Sequence, residues 1–130
     1  MRWWPALLAL WAALPAGAGE YPQARRVLSL GGSITEIVYA LGEEARLAGR
    51  DQTSLWPEAA LALPDVGYVR QISPEGALSV GPDLILAEEG AGPPEAVAVL
   101  QAAGIPYVPV PEEYDAEGVL KKVEIVAGAL

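Results

Sequence analysis

Short apolar runs alternating with helix-patterned segments constrain this chain more than any other feature. Val27-Leu28-Ser29-Leu30 ends in Gly31-Gly32. Leu47-Ala48-Gly49-Arg50, Leu84-Ile85-Leu86-Ala87 and Tyr107-Val108-Pro109-Val110 follow in turn. Apolar runs this short, bounded by glycine and proline, read as buried strands. Between them the apolar residues recur at helical spacing. Ile34, Ile37, Val38 and Leu41 share one face of a first helix that Gly42 ends. Ser33, with Glu36 after it, is expected to start that helix as a capping box. Residues 55–63 are expected to form a loop or short helix, with Pro57 suited to a first turn. Ser73-Pro74-Glu75 opens a further helix that Gly81-Pro82 closes. Residues 95–103 form another, with Val97, Leu100 and Ala103 as its apolar positions and Gly104 at its end. Asp115 is expected to cap the last helix, whose apolar face is read as Leu120, Val123, Val126 and Ala127.

Strand and helix therefore alternate along the chain. That order implies an α/β lobe: a Rossmann-like parallel sheet flanked by helices. Pro109 cannot donate to a ladder, so its strand is expected near an edge. Ligands of such sheets gather at the carboxyl ends of the strands. Those ends carry Gly31-Gly32, Asp51-Gln52-Thr53 and Glu88-Glu89-Gly90.

The residues before the first strand read differently. Arg2 precedes an apolar stretch, and Ala16-Gly17-Ala18 supplies small residues at its end. This is the layout of a secretory signal. It is shorter than the roughly 20 apolar residues of a membrane span. Cleavage near Ala18 would leave residues 19–130 as one exported domain, and 130 residues in all suit a single domain. The last helix pattern runs into the C-terminus without a stop signal, so the chain is expected to be incomplete.

Several chemistries are excluded by what is missing. The chain has no cysteine and no histidine. It therefore holds no thiolate nucleophile, no disulfide, no cysteine-linked lipid and no Ser-His-Asp triad. Asp and Glu number 17 against 8 Lys and Arg, a formal charge of -9 that repels a phosphate backbone. No nucleic-acid partner is expected. Gly31-Gly32-Ser33 matches neither G-x-G-x-x-G nor a phosphate loop with its lysine, and reads as a tight turn. Glu88-Glu89 and Glu112-Glu113 read as solvated acidic surface. An exported nucleotide-binding enzyme is the competing class, and nothing here equips one; the chain is expected to be no enzyme.

The connection between the second strand and the next helix is long for a plain link. It carries Trp56 and then Pro64-Asp65-Val66-Gly67-Tyr68-Val69-Arg70. A phenol ordinarily titrates near 10, and a neighbouring guanidinium favours the phenolate. Phenolate is an oxygen donor suited to ferric iron, and tyrosine is one of the axial ligands of haem. A surface tyrosine packed over a loop is the plainer reading of the same residues.

The stretch from Val27 to Gly42, with Arg50-Asp51-Gln52-Thr53-Ser54, resembles class III periplasmic binding proteins for haem, cobalamin and siderophores. Leu63-Pro64-Asp65-Val66-Gly67-Tyr68-Val69-Arg70 is similar to the haemin-binding, HmuT-type branch. Ser73-Pro74-Glu75-Gly76, Pro82-Asp83-Leu84-Ile85-Leu86-Ala87 and Ala102-Ala103-Gly104-Ile105-Pro106 extend the likeness. The resemblance implies one lobe of a two-lobed protein, with the second lobe absent from this sequence. It implies a monomeric periplasmic carrier that binds haem and delivers it to the permease and ATPase of an ABC importer. Tyr68 would be the axial ligand to haem iron. Arg70 would steady the phenolate or pair with a propionate. Arg50 would be a second propionate contact, and Glu75 would dock on the permease. A siderophore or cobalamin is the alternative ligand within the same class.

Overall fold

The computed structural model describes residues 19–130. The expected export signal lies outside the described residues. Four strands, β1 (Val27–Leu30), β2 (Leu47–Arg50), β3 (Leu84–Glu88) and β4 (Tyr107–Val110), form one sheet in the order β2-β1-β3-β4. All neighbouring pairs are parallel. Four helices connect and cover it: α1 (Gly32–Ala40), α2 (Pro74–Ser79), α3 (Pro94–Ala102) and α4 (Ala116–Ala129). Short 3-10 turns span Glu44–Arg46 and Glu58–Ala62. The expected α/β architecture is thus the observed one, with β4 at an edge as Pro109 requires.

Strand pleating divides the core in two. Along β3, Leu84 and Leu86 face one way, against Ile34 and Val38 of α1 and Val126 of α4. Ile85 and Ala87 face the other way, against Ala77 of α2 and Leu100 of α3. Leu84 to Ala87 are all inaccessible to solvent. Burying a Leu, Ile or Val side chain contributes about 1.5–3 kcal/mol each, so this strand anchors both layers. The continuous apolar run in the sequence follows from burial on both faces.

Three helix expectations are corrected. Ser33 does not cap α1. Gly31 is the N-cap, no side chain caps the helix, and Ser33 lies inside it, accepting a hydrogen bond from Lys122 Nζ at 2.9 Å. Gly31 holds φ at 131°, a conformation that L side chains rarely adopt, and this lets the helix begin early. The inner face of α4 is also rotated from the one read. Lys122, Val126 and Ala129 are buried, whereas Leu120 is 64% exposed. A buried lysine breaks the apolar periodicity on which the reading depended. In α3, Ala96 and Leu100 carry the burial, and Ala103 is exposed.

The cap expected of Asp115 holds, and Ser73, expected only to open α2, caps it as well. Asp115 accepts from the Gly118 N–H at 2.7 Å, and Ser73 accepts from the Gly76 N–H at 3.2 Å. Removing such a cap costs about 1 kcal/mol. Ser73→Ala is therefore expected to lower unfolding stability by about 1 kcal/mol in urea. A loss under a few tenths would show that Pro74 alone starts α2.

Candidate functional site

The long connection after β2 closes over the carboxyl ends of the strands. It first runs beside the edge strand. The Arg50 N–H donates to Pro64 O at 3.0 Å, the Val66 N–H to Arg50 O at 2.9 Å, and the Gln52 N–H to Gly67 O at 2.7 Å. These bonds extend the sheet by a short parallel bridge between Arg50 and Asp65. Gly67, with φ at 102°, then turns the chain inward. Val69 is 1% exposed and Ile72 is buried, both in the layer beneath α2 and α3. At that point the Gly92 N–H donates to Val69 O at 3.0 Å and the Ile72 N–H to Gly92 O at 2.8 Å. The loop is tied at one end to β2 and at the other to the turn after β3.

Tyr68 and Arg70 flank the buried Val69, and both are exposed, Tyr68 at 39%. The Gln71 N–H closes a turn on Tyr68 O at 2.9 Å. Sinking Val69 into the core thus lifts its two neighbours onto the rim above the strand ends. This is where ligands of parallel sheets sit.

Arg50 is placed otherwise. It is buried, its Nη1 donates to Asp51 O at 3.2 Å, and it pairs with Asp65 Oδ2 at 3.8 Å. Its Nε has no partner. This guanidinium holds the base of the loop. Glu75 is exposed in the first turn of α2, where its carboxylate accepts from Ser73 Oγ at 3.1 Å. Gly76 packs close to Val66 O, so that turn abuts the rim loop.

The floor beneath the rim is polar and was not foreseen. Asp51, fully buried, accepts from the Gly31 N–H at 3.0 Å and the Thr53 N–H at 2.9 Å. It also accepts from Thr53 Oγ1 and Ser54 Oγ, each at 2.7 Å. An aspartate followed by Thr and Ser is a turn-forming pattern that marks such a hub. Lys122 pairs with Glu112 and bonds Ser33, which ties α4 to α1. Glu88, at the end of β3, is half-buried. Its carboxyl is raised above the ordinary carboxylate range, first by desolvation and then by Glu112 and Asp51; Lys122 and Arg70 oppose the rise. A hollow of about 270 Å³ opens beside it between the ends of β3 and β4. A larger groove, about 670 Å³, lies elsewhere, between Ile37, Tyr39, Trp56 and Val119. Among the described residues no cluster of three or more acidic side chains is arranged to hold a metal ion.

The family model described as periplasmic binding protein matches residues 27–130. This chain belongs to the periplasmic binding protein family. Of solved structures, the haem-binding protein RhuT from Roseiflexus sp. RS-1 superposes with a TM-score of 0.78 at 39% identity. That match covers 82% of this chain and 41% of RhuT. A periplasmic haem-binding protein from Pseudomonas aeruginosa superposes at 0.73 with 40% identity, covering 81% of this chain and 39% of that one. A vitamin B12-binding protein of Yersinia pestis is 41% identical over 93 residues, which is 72% of this chain and 31% of the relative. The binding protein thus spans well under half the length of these relatives. They carry binding-protein names rather than enzyme names, and they divide between haem and vitamin B12.

Proposed function

We propose that this lobe belongs to the substrate-binding component of an ABC importer that collects haem in the periplasm. One observation carries the reading: Tyr68 and Arg70, on either side of the buried Val69, are both exposed. A phenol oxygen offers the axial bond that ferric haem takes from tyrosine. The guanidinium two residues on offers a paired contact for a propionate carboxylate. Arg50 supports them from below as a positioning residue, because its own guanidinium is committed to Asp51 and Asp65. Glu75 is exposed on the adjoining turn and serves as the carboxylate that docks on the permease. Residues 1–18 direct export, residues 19–130 form the N-terminal lobe, and a second lobe closes the site from above.

Cobalamin is the competing cargo, favoured by the Yersinia relative. A corrinoid carries its own axial base and has no use for a phenol ligand, so the two cargoes separate by spectroscopy. Ferric haem titrated into the protein is expected to saturate with a shifted Soret band and a phenolate-to-iron charge-transfer band. Cobalamin is expected to give no saturable change. Saturable cobalamin binding without a haem response would reassign the site to corrinoids.

A further inference from the structure

Arg70 does not reach away from the lobe. Its guanidinium lies back over Gly90, where a Cβ would stand only 3.5 Å from Nη1. That places it above the end of β3, within electrostatic range of Glu88. The other charged groups facing Glu88 are engaged already. Asp51, from the end of β2, is saturated by Gly31, Thr53 and Ser54. Glu112, from the segment after β4, and Lys122, from α4, are paired with each other. Gly31, between β1 and α1, brings no charge, yet its missing side chain leaves the space that Glu88 occupies. A Cβ there would lie 2.6 Å from Glu88 Oε2. Among the described residues Arg70 forms none of the close ion pairs, so of the two cations that act on Glu88, Lys122 and Arg70, it is the one not already held by a carboxylate.

We propose that Glu88 is the resting counter-ion of Arg70, and that an anionic ligand group entering over the strand ends takes Arg70 from it, so that ligand binding is linked to protonation of Glu88. The linkage rests on the reading of the rim as the ligand site. Its sign follows from the charges. Burial already raises the Glu88 carboxyl, and Lys122 and then Arg70 oppose that rise. A ligand carboxylate removes the opposing cation and adds another negative charge nearby. Glu88 then binds its proton more tightly in the complex than in the free protein. Binding takes up protons, and affinity rises as pH falls through the range where Glu88 titrates. One full proton corresponds to about tenfold per pH unit. The hollow beside Glu88 gives the proton a route from solvent.

Two measurements test this. Carboxyl carbon NMR follows the titration midpoint of Glu88 in the free protein. Arg70→Gln is expected to move that midpoint to higher pH, and an unmoved midpoint overturns the pairing. Calorimetry of ferric haem binding in buffers of different ionisation enthalpy counts protons. The wild type is expected to take up more protons than Glu88→Gln at mildly acid pH. Release of the Tyr68 phenol proton is common to both proteins and cancels in the difference. Equal counts overturn the linkage. A wild type that binds no haem overturns the functional reading and the linkage together, while the NMR result still decides the pairing.

Discussion

Asp51→Ala, in the floor beneath the rim, is expected to lower the stability of this lobe by about 3–5 kcal/mol. Hydrogen bonds to a charged acceptor contribute about 1.5–3 kcal/mol each. Asp51 accepts four, from the Gly31 and Thr53 amides and the Thr53 and Ser54 hydroxyls. Thr53 is exposed, so water replaces part of what it loses. Gly31 and Ser54 are buried, and their donors are left unpaired. The damage also spreads inward. Ser54 Oγ meets Thr35 Oγ1 at 2.7 Å, and Thr35 Oγ1 meets Ser29 Oγ at 2.7 Å. Ser29 lies in the middle of β1 and Thr35 in α1, so Asp51 terminates a buried polar chain running into the sheet. Asp51→Asn keeps the shape, weakens every bond and points an amide at donors that need an acceptor. It is expected to recover less than half of the loss. Urea unfolding with an unchanged m-value is the measurement. A loss below about 1 kcal/mol for Asp51→Ala would show that water or a neighbour takes over the carboxylate's role.

How far the sequence discloses this arrangement depends on whether a position answers to a local pattern or to a distant partner. The sheet was readable because strands buried on both faces cannot hide their apolar run, as β3 illustrates from Leu84 to Ala87. Asp115 was readable as a cap because a cap acts on an amide three residues away, the spacing that Ser73 also uses at α2. Ser33 was misread because its partner, Lys122, lies on another helix, and the glycine before the helix supplies the turn unaided. Lys122 also displaced the expected face of α4, since a lysine that satisfies Glu112 and Ser33 can be buried where pattern reading expects solvent.

The acidic pairs divide in the same way. Glu88 and Glu112 turn inward, while Glu89 and Glu113 are exposed; Glu89 accepts from the Glu112 N–H and Glu113 pairs with Lys121. Adjacent residues at a strand end alternate sides. Reading each pair as one solvated surface therefore missed half of its members. Tyr68 and Arg70 were singled out for their chemistry, whereas their exposure follows from Val69 between them, a residue of no chemical interest by itself that sinks into the core. Arg50 points to the base of the loop because of Asp65, a partner that sequence spacing does not disclose.

Tyr68→Phe is expected to remove the phenolate-to-iron charge-transfer band and to lower haem affinity by more than about 100-fold. Losing an outer partner of a metal ligand already costs about 10–100-fold, so losing the ligand atom itself costs more. The phenylalanine keeps the ring and deletes only the oxygen, which separates coordination from packing against the macrocycle. Because the side chain is 39% exposed, stability should change by less than about 0.5 kcal/mol, so a lost spectrum cannot be ascribed to unfolding. Arg70→Gln serves as the internal comparison. It removes a charge from the rim and leaves the phenol, so the band should persist while affinity falls by about tenfold, less so at high salt. Affinity lost with the band intact is the signature of a carboxylate contact, and band and affinity lost together is the signature of a metal ligand. A Tyr68→Phe protein with the wild-type spectrum would take iron coordination away from this residue. The rim would then offer haem only a ring face and a guanidinium, features that a corrinoid could use equally well, and the choice between the two cargoes would turn toward vitamin B12.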